Sequence, residues 1–197
     1  MPRKITDTDL GDLAYALDLV LEAYHLREQG EEVLREAALS EARALCCRLL
    51  DRHPHWAEPA ETKATILIEL GYLAEARSEL HKLLYSLSSS TARDAAVARA
   101  KAHNLLGQVG IESDSLAEAL YHYLEAAREA AANTPLEATV LDEAHDGVVS
   151  CLHGLGRAAE ARKHLQHAQD EMKRLEISEH PLIDGQAKML AKQLAEV

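Results

Sequence analysis

An all-α fold of antiparallel helix pairs is predicted by three features of this sequence: a composition poor in aromatics, a heptapeptide that recurs, and helix start and stop signals spaced to match it. Only 4% of the 197 residues are aromatic, with no Phe and one Trp, so Ala and Leu must build the interior, and both favour helix over sheet. The heptapeptide reads L-G-x-x-x-E-A, as Leu70-Gly71-Tyr72-Leu73-Ala74-Glu75-Ala76 and again as Leu155-Gly156-Arg157-Ala158-Ala159-Glu160-Ala161. Its second half recurs at Ser40-Glu41-Ala42-Arg43 and Ala117-Glu118-Ala119-Leu120, which places Ala42, Ala76, Ala119 and Ala161 at spacings of 34, 43 and 42 residues. Glu-Ala pairs also occur elsewhere, but each chosen Ala is followed at about four and seven residues by one that packs on the same helical face.

The elements follow in order. A first helix over about 8–29 carries the apolar stripe Leu10, Leu13, Ala14, Leu17 and Leu21 and stops at Gly30; a second runs over 31–52, bounded by Pro54. A third over 59–70 begins at Pro59 and stops at Gly71, and a fourth covers 73–88. Ser88-Ser89-Ser90 reads as a link, after which Thr91 with Asp94 forms a capping-box pattern for a helix over 92–111. Ser115 with Glu118 does the same for 115–132, and Thr134-Pro135-Leu136-Glu137 opens 135–154, ended by the Gly154/Gly156 pair. Helices over 157–175 and, after Pro181, over 181–195 complete a set of four hairpins and one closing helix. No single pair hides its own apolar surface, so the pairs are expected to stack as one domain over 1–197.

Composition also excludes functions. The formal net charge of −12 and pI near 5.3 oppose general affinity for DNA or RNA. No stretch approaches the roughly 20 apolar residues of a membrane span, and Met1 to Leu10 lacks a signal peptide's apolar centre. A soluble, cytoplasmic protein is the expectation. Cys46, Cys47 and Cys151 form neither a C-x-x-C pair nor an even disulfide framework. His164 with His167, and His53 with His55, are neighbouring pairs without a clear third metal ligand or an H-E-x-x-H motif. No nucleophile elbow, P-loop or dinucleotide loop occurs, and carboxylates are too common to single out an acid and a base. Neither an enzyme nor a cofactor or metal site is expected.

These residues resemble the tetratricopeptide repeat family over roughly 24–175. Leu106-Gly107, Ala119, Tyr123 and Ala126 follow that family's pattern, and Ala42 to Pro54 matches its closing part. The family's bulky aromatic on the first helix is absent: Trp56 falls between hairpins, and His103 and His145 stand in the matching places. The spacings of 43 and 42 are similar to the longer-helix variants in peptide-sensing regulators and kinesin light chains.

The resemblance implies a right-handed α-solenoid whose first helices line a concave groove. Carried over by position, the groove comprises Glu58, Glu61 and Thr65, then Lys101, Asn104 and Gln108, then Glu143, Asp146 and Ser150, each set on one helical stripe. An acidic groove with one Lys/Asn/Gln patch suits another protein or an extended basic peptide, with Asn104 and Gln108 able to bond its main chain. The expected role is a binding scaffold or adaptor; a ligand-responsive sensor and a chaperone for a secreted or assembling partner are the alternatives. The first helix and the last, with Leu182, Ile183, Met189, Leu190 and Leu194, offer apolar faces for capping the stack or for a homodimer.

Overall fold

The structure, a computed structural model, describes residues 4–132, 138–177 and 181–195, with side chains described to residue 189. It is all-helical over these residues: α1 (Asp7–Gln29), α2 (Glu32–Arg52), α3 (Ala57–Glu69), α4 (Leu73–Leu87), α5 (Arg93–Glu112), α6 (Leu116–Ala131), α7 (Ala138–Gly154), α8 (Ala158–Arg174) and α9 (Pro181–Ala195). Among the described residues no helix is long and apolar enough to cross a membrane. The expected opening of the seventh helix at Thr134-Pro135-Leu136-Glu137 and the side chains of Leu190 and Leu194 lie outside the described residues.

The chain forms two compact units, Met1–Ser88 and Ser89–Val197. In the first, α1 pairs with α2 and α3 with α4, while α3 also packs on α2 and α1. Its largest core cluster joins Leu19 and Val20 of α1, Leu39, Ala42 and Leu45 of α2, and Ile66 of α3. In the second, α5 pairs with α6 and α7 with α8; α7 packs against both α5 and α6, and α9 against α7 and α8.

A repeated turn makes these hairpins. Gly30, Gly71, Asp114 and Gly156 all adopt left-handed backbone conformation, at φ 76°, 76°, 55° and 72°, where glycine has no Cβ penalty. At each, two N–H groups reach back to carbonyls of the helix just ended, as from Gly71 to Ile68 and from Tyr72 to Leu67, both at 2.8 Å. This ending satisfies otherwise orphaned carbonyls and reverses the chain within two residues. Gly154 instead remains helical, and an added Cβ there would meet Leu116 Cδ1 at 2.8 Å.

The turns lie 41, 43 and 42 residues apart, by subtraction of their residue numbers. They correct one alignment. Ala76, Ala119 and Ala161 each stand five residues after their turn, whereas Ala42 stands twelve after Gly30, in the position of Ala126 and Ala168. The apparent first spacing of 34 was a slip of seven residues, two helical turns, which keeps a residue on nearly the same face. All four alanines are fully buried, so burial alone did not expose the slip.

Two capping boxes expected from the sequence do not form. Ser115 makes no side-chain cap bond; its backbone N–H instead completes the turn by donating to Gly110 O at 2.7 Å, and the N-cap of α5 is Ala92 rather than Thr91. A capping box closes at the start of α1. Asp9 Oδ2 accepts from Thr6 N–H at 2.9 Å and from the Thr6 hydroxyl at 2.7 Å, while Asp9 N–H donates to Thr6 Oγ1 at 3.3 Å. Arg52 and His53 at the end of α2 pair with the same carboxylate at 2.7 and 3.0 Å, tying the two helix ends together.

Of the apolar stripe read on the first helix, only Leu13 is buried. Leu10, Ala14, Leu17 and Leu21 are exposed, Leu10 to 52% and Leu21 to 58%; Leu13, Ala16, Leu19, Val20 and Ala23 form the face inside the core. α1 is apolar on two faces, so periodicity identified a helix without identifying its inner side.

In the second unit Tyr123 of α6 occupies a slot cut by glycines. A Cβ on Gly107 of α5 would lie 2.7 Å from the ring, and one on Gly147 of α7 would lie 2.5 Å away. A Cβ on Gly110 would lie 2.8 Å from Ala119 Cβ. Small residues thus bring α5, α6 and α7 together around one aromatic.

Candidate functional site

The turn register places the nine groove residues in equivalent positions. Glu58, Lys101 and Glu143 each precede their turn by 13 residues; Glu61, Asn104 and Asp146 precede it by 10, and Thr65, Gln108 and Ser150 by 6. Each set therefore occupies the same stripe of the first helix of its hairpin.

The surroundings differ along the stripe. On α3, Glu58 is exposed while Glu61 and Thr65 are half-buried; the hydroxyls of Thr62 and Thr65 donate to the Glu58 and Glu61 carbonyls at 2.8 and 3.2 Å. On α5, Lys101 and Gln108 are half-buried. Asn104 is buried, and its Nδ2 donates to Val140 O at 3.0 Å and to Glu143 Oε2 at 3.3 Å across to α7. On α7, Asp146 and Ser150 both accept from Gln186 Nε2 of α9, at 2.7 and 3.0 Å.

Asn104 thus bridges the first helices α5 and α7, while Asp146 and Ser150 bridge α7 and α9. The structure joins Asn104 to Glu143, and brings Asp146 and Ser150 together under α9. What stays open is the outer edge, where Glu143 is exposed and Lys101 half-buried. Desolvation by neighbouring atoms raises the Glu143 carboxyl above the ordinary range even though the residue as a whole is exposed, with the Asn104 bond and Lys101 acting in the opposite direction. Asp146 is raised for the same first reason, against its bond from Gln186.

The position of α9 depends on a residue that sequence reasoning passed over. Asp142 of α7, buried, accepts the Leu182 and Ile183 backbone N–H groups at 3.1 and 3.2 Å, a carboxylate from one helix capping the N-terminus of another. Ile183 beside it is fully buried among Val148, Val149 and Leu152, whereas Leu182 and Met189 are exposed. No motif marks a cap supplied from forty residues away.

Two histidine pairs were also missed. His103 Nδ1 lies 3.0 Å from His122 Nδ1 between α5 and α6, and His145 Nδ1 lies 3.0 Å from His164 Nε2 between α7 and α8. Both pairs span 19 residues and repeat at an interval of 42, a double periodicity visible in the sequence to a search that treats histidine as a repeat position. Among the described residues no group of three or more His, Cys, Asp or Glu side chains is placed to hold a metal ion. Cys46 and Cys151 are buried, and burial pushes their thiols up to about 12 and about 11, away from the thiolate that nucleophilic or metal chemistry requires.

The arrangement offers polar side chains in a repeated register, a buried acid used as a helix cap and unreactive thiols. Compared with protein-family models and with curated proteins, the chain matches none.

Proposed function

We propose that this is a tetratricopeptide-like repeat protein, its helix pairs following one another as in a right-handed α-solenoid, that binds another protein or an extended basic peptide without performing chemistry on it. The observation that carries the reading is the recurrence of a polar stripe at a fixed distance from a repeated left-handed turn, with Glu58 at its outer position in the first unit and Lys101 and Glu143 in the second. Repeats of this kind present side chains at regular intervals, which suits a partner whose own chain is extended. The two exposed acids favour a basic segment and faster encounter with it. Lys101 sets a position where an acid or a main-chain carbonyl of the partner is preferred. The sensor reading draws support from the spacings of 41 to 43, longer than the 34 of the standard repeat.

The test is affinity capture with the intact chain, with the captured protein identified by mass spectrometry and its affinity then measured by calorimetry for the wild type and for Glu58→Lys with Glu143→Lys. Reversal at these exposed positions leaves the Asp146–Gln186 contact alone. A loss of tenfold or more, about 1.4 kcal/mol, supports the acidic edge. Unchanged affinity removes it.

A further inference from the structure

The α7/α8 hairpin is held across its middle by two imidazoles. His145 Nδ1 lies 3.0 Å from His164 Nε2, and the other nitrogen of His145, Nε2, lies 3.1 Å from Glu171 Oε2. Two ring nitrogens at that distance need one N–H and one lone pair. The Glu171 carboxylate only accepts, so His145 carries its proton at Nε2, its Nδ1 accepts, and His164 Nε2–H donates. Hydrogen bonding thus assigns both tautomers: His164 donates to His145, which donates to Glu171.

This chain tolerates one added proton, on His164 Nδ1. A second, on His145 Nδ1, sets N–H against N–H and breaks the bond. His145 is only 2% exposed, so water does not replace the partner it loses. Burial, with the neighbouring His145 and His167 rings, lowers His164 to about 4, and burial lowers His145 against the pull of Glu171.

Around the pair stand His167 and Glu171 of α8, with Arg174 bonded to Glu171 Oε1 at 3.3 Å, and Asp142 of α7. The other elements on α7 present Asn104 from α5, Tyr123 from α6 and Gln186 from α9. Lys101 of α5 acts on Glu143. Within this setting burial keeps His145 and His164 neutral while they are paired, so opening the contact favours their protonation and acid favours opening.

We propose that the His145–His164 contact is an acid-released latch, holding α8 on α7 while the two rings share one bridging proton and opening as acid charges the rings. Release loosens α9 as well, because α9 is seated on α7 and α8. Its polar anchors include Asp146, a carboxylate already raised by burial, so acid weakens the seat in the same direction.

The test is hydrogen exchange by mass spectrometry on the full chain at pH 7 and pH 5, corrected for the intrinsic pH dependence of amide exchange. With His164 near 4 when latched and near 6.5 when opened, linkage raises the opened population of α8 and α9 roughly 20-fold between the two pH values. In His164→Gln, whose amide donates to His145 Nδ1 without titrating, the His164 share of the change is lost and only the His145 share remains, so the response is smaller than in the wild type. A wild-type change under about threefold, or an equal pH response in His164→Gln, overturns the latch. If that variant fails to fold, imidazole NMR titration of the wild type decides: a His164 midpoint near 6.5 overturns the proposal, and a midpoint depressed by a unit or more, with His145 shifting in step, supports it.

Discussion

Gly147→Ala tests the central packing of the second unit. Gly147 lies inside α7, where alanine gains roughly 0.5–1 kcal/mol over glycine from backbone entropy. Against this, the new methyl would lie 2.5 Å from Tyr123 Cδ1 and Cε1, about 1 Å inside favourable carbon–carbon contact. The ring has no free retreat, because Tyr123 also fills the space at Gly107, where a Cβ would meet it at 2.7 Å. Overpacking of a tight core costs about 1–3 kcal/mol, so the expected net loss is about 1–2 kcal/mol. With a urea dependence of about 1–3 kcal/mol per molar, the midpoint followed by far-ultraviolet circular dichroism falls by roughly 0.5–1 M. Gly11→Ala is the matched control: it is also helical, in α1, and nothing lies within 4 Å of its added Cβ, so its midpoint rises. Tyr123→Leu in the Gly147→Ala background restores part of the loss, and the two substitutions are not additive. A Gly147→Ala protein as stable as the wild type, with Gly11→Ala stabilised as expected, refutes the slot.

Asp142→Ala removes the acceptor of two N–H groups at the start of α9; a lost cap costs about 1 kcal/mol or more, read as faster hydrogen exchange in α9 with α1 and α2 unchanged. Thr6 bonds, then His53 and Arg52, hold the Asp9 carboxyl well below its ordinary range, so its contribution is full above about pH 4 and is lost as pH falls toward its folded value. Asp9→Asn should abolish that acid-dependent fraying of the first turn of α1, and amide exchange that keeps the wild-type pH dependence in the variant speaks against the assignment. Native alkylation with iodoacetamide, followed by peptide mass spectrometry, should label half-buried Cys47 before buried Cys46 and Cys151; equal labelling of all three contradicts the burial described here.

The hairpin architecture was legible because its causes are local. Gly30, Gly71 and Gly156 are required by a left-handed backbone, and a glycine after an apolar run signals that requirement from sequence alone. Asp114 performs the same turn at φ 55° without announcing itself; aspartate and asparagine belong to the few side-chain-bearing residues that tolerate this region. The slip at Ala42 has a similar origin. Seven residues carry a helix almost twice around, so an alanine seven positions out of register is buried as well as the right one. Only the turns, which have no such near-symmetry, fix the phase.

The candidate stripe was legible as a stripe and not as a surface. Spacing of three and seven residues establishes that Lys101, Asn104 and Gln108 share a face, but which neighbour lies across that face depends on helix packing between hairpins. Asn104 therefore bonds Val140 and Glu143 on the next first helix, and Asp146 and Ser150 receive Gln186 from α9. α1 shows the converse: Leu10 and Leu21 look like core by periodicity and remain exposed. Amphipathic pattern ranks residues by polarity, while partner identity is a tertiary property.

The histidine pairs extend this argument to a position that changes chemistry from hairpin to hairpin. Counted from the turns, His103 and His145 stand at eleven residues before, and His122 and His164 at eight after. The same two positions hold buried Leu19 and Ala38 in the first hairpin, and Ala60 with Glu79 in the second, where Glu79 pairs instead with Lys63 at 3.1 Å. The two positions are thus held by apolar residues in the first hairpin, by Ala60 and an ion-paired Glu79 in the second, and twice by paired imidazoles. Of these residue types imidazole is the one whose unperturbed range lies between pH 5 and 8; the apolar pair does not titrate, and Glu79, lowered by Lys82 and Lys63 despite desolvation, keeps its charge there. Had the pairs served packing alone, leucine and alanine would hold the crossing as they do in the α1/α2 hairpin. The latch proposed at the α7/α8 crossing thus uses a position that holds apolar residues in the first hairpin, beside the helix whose seat is built on carboxylates.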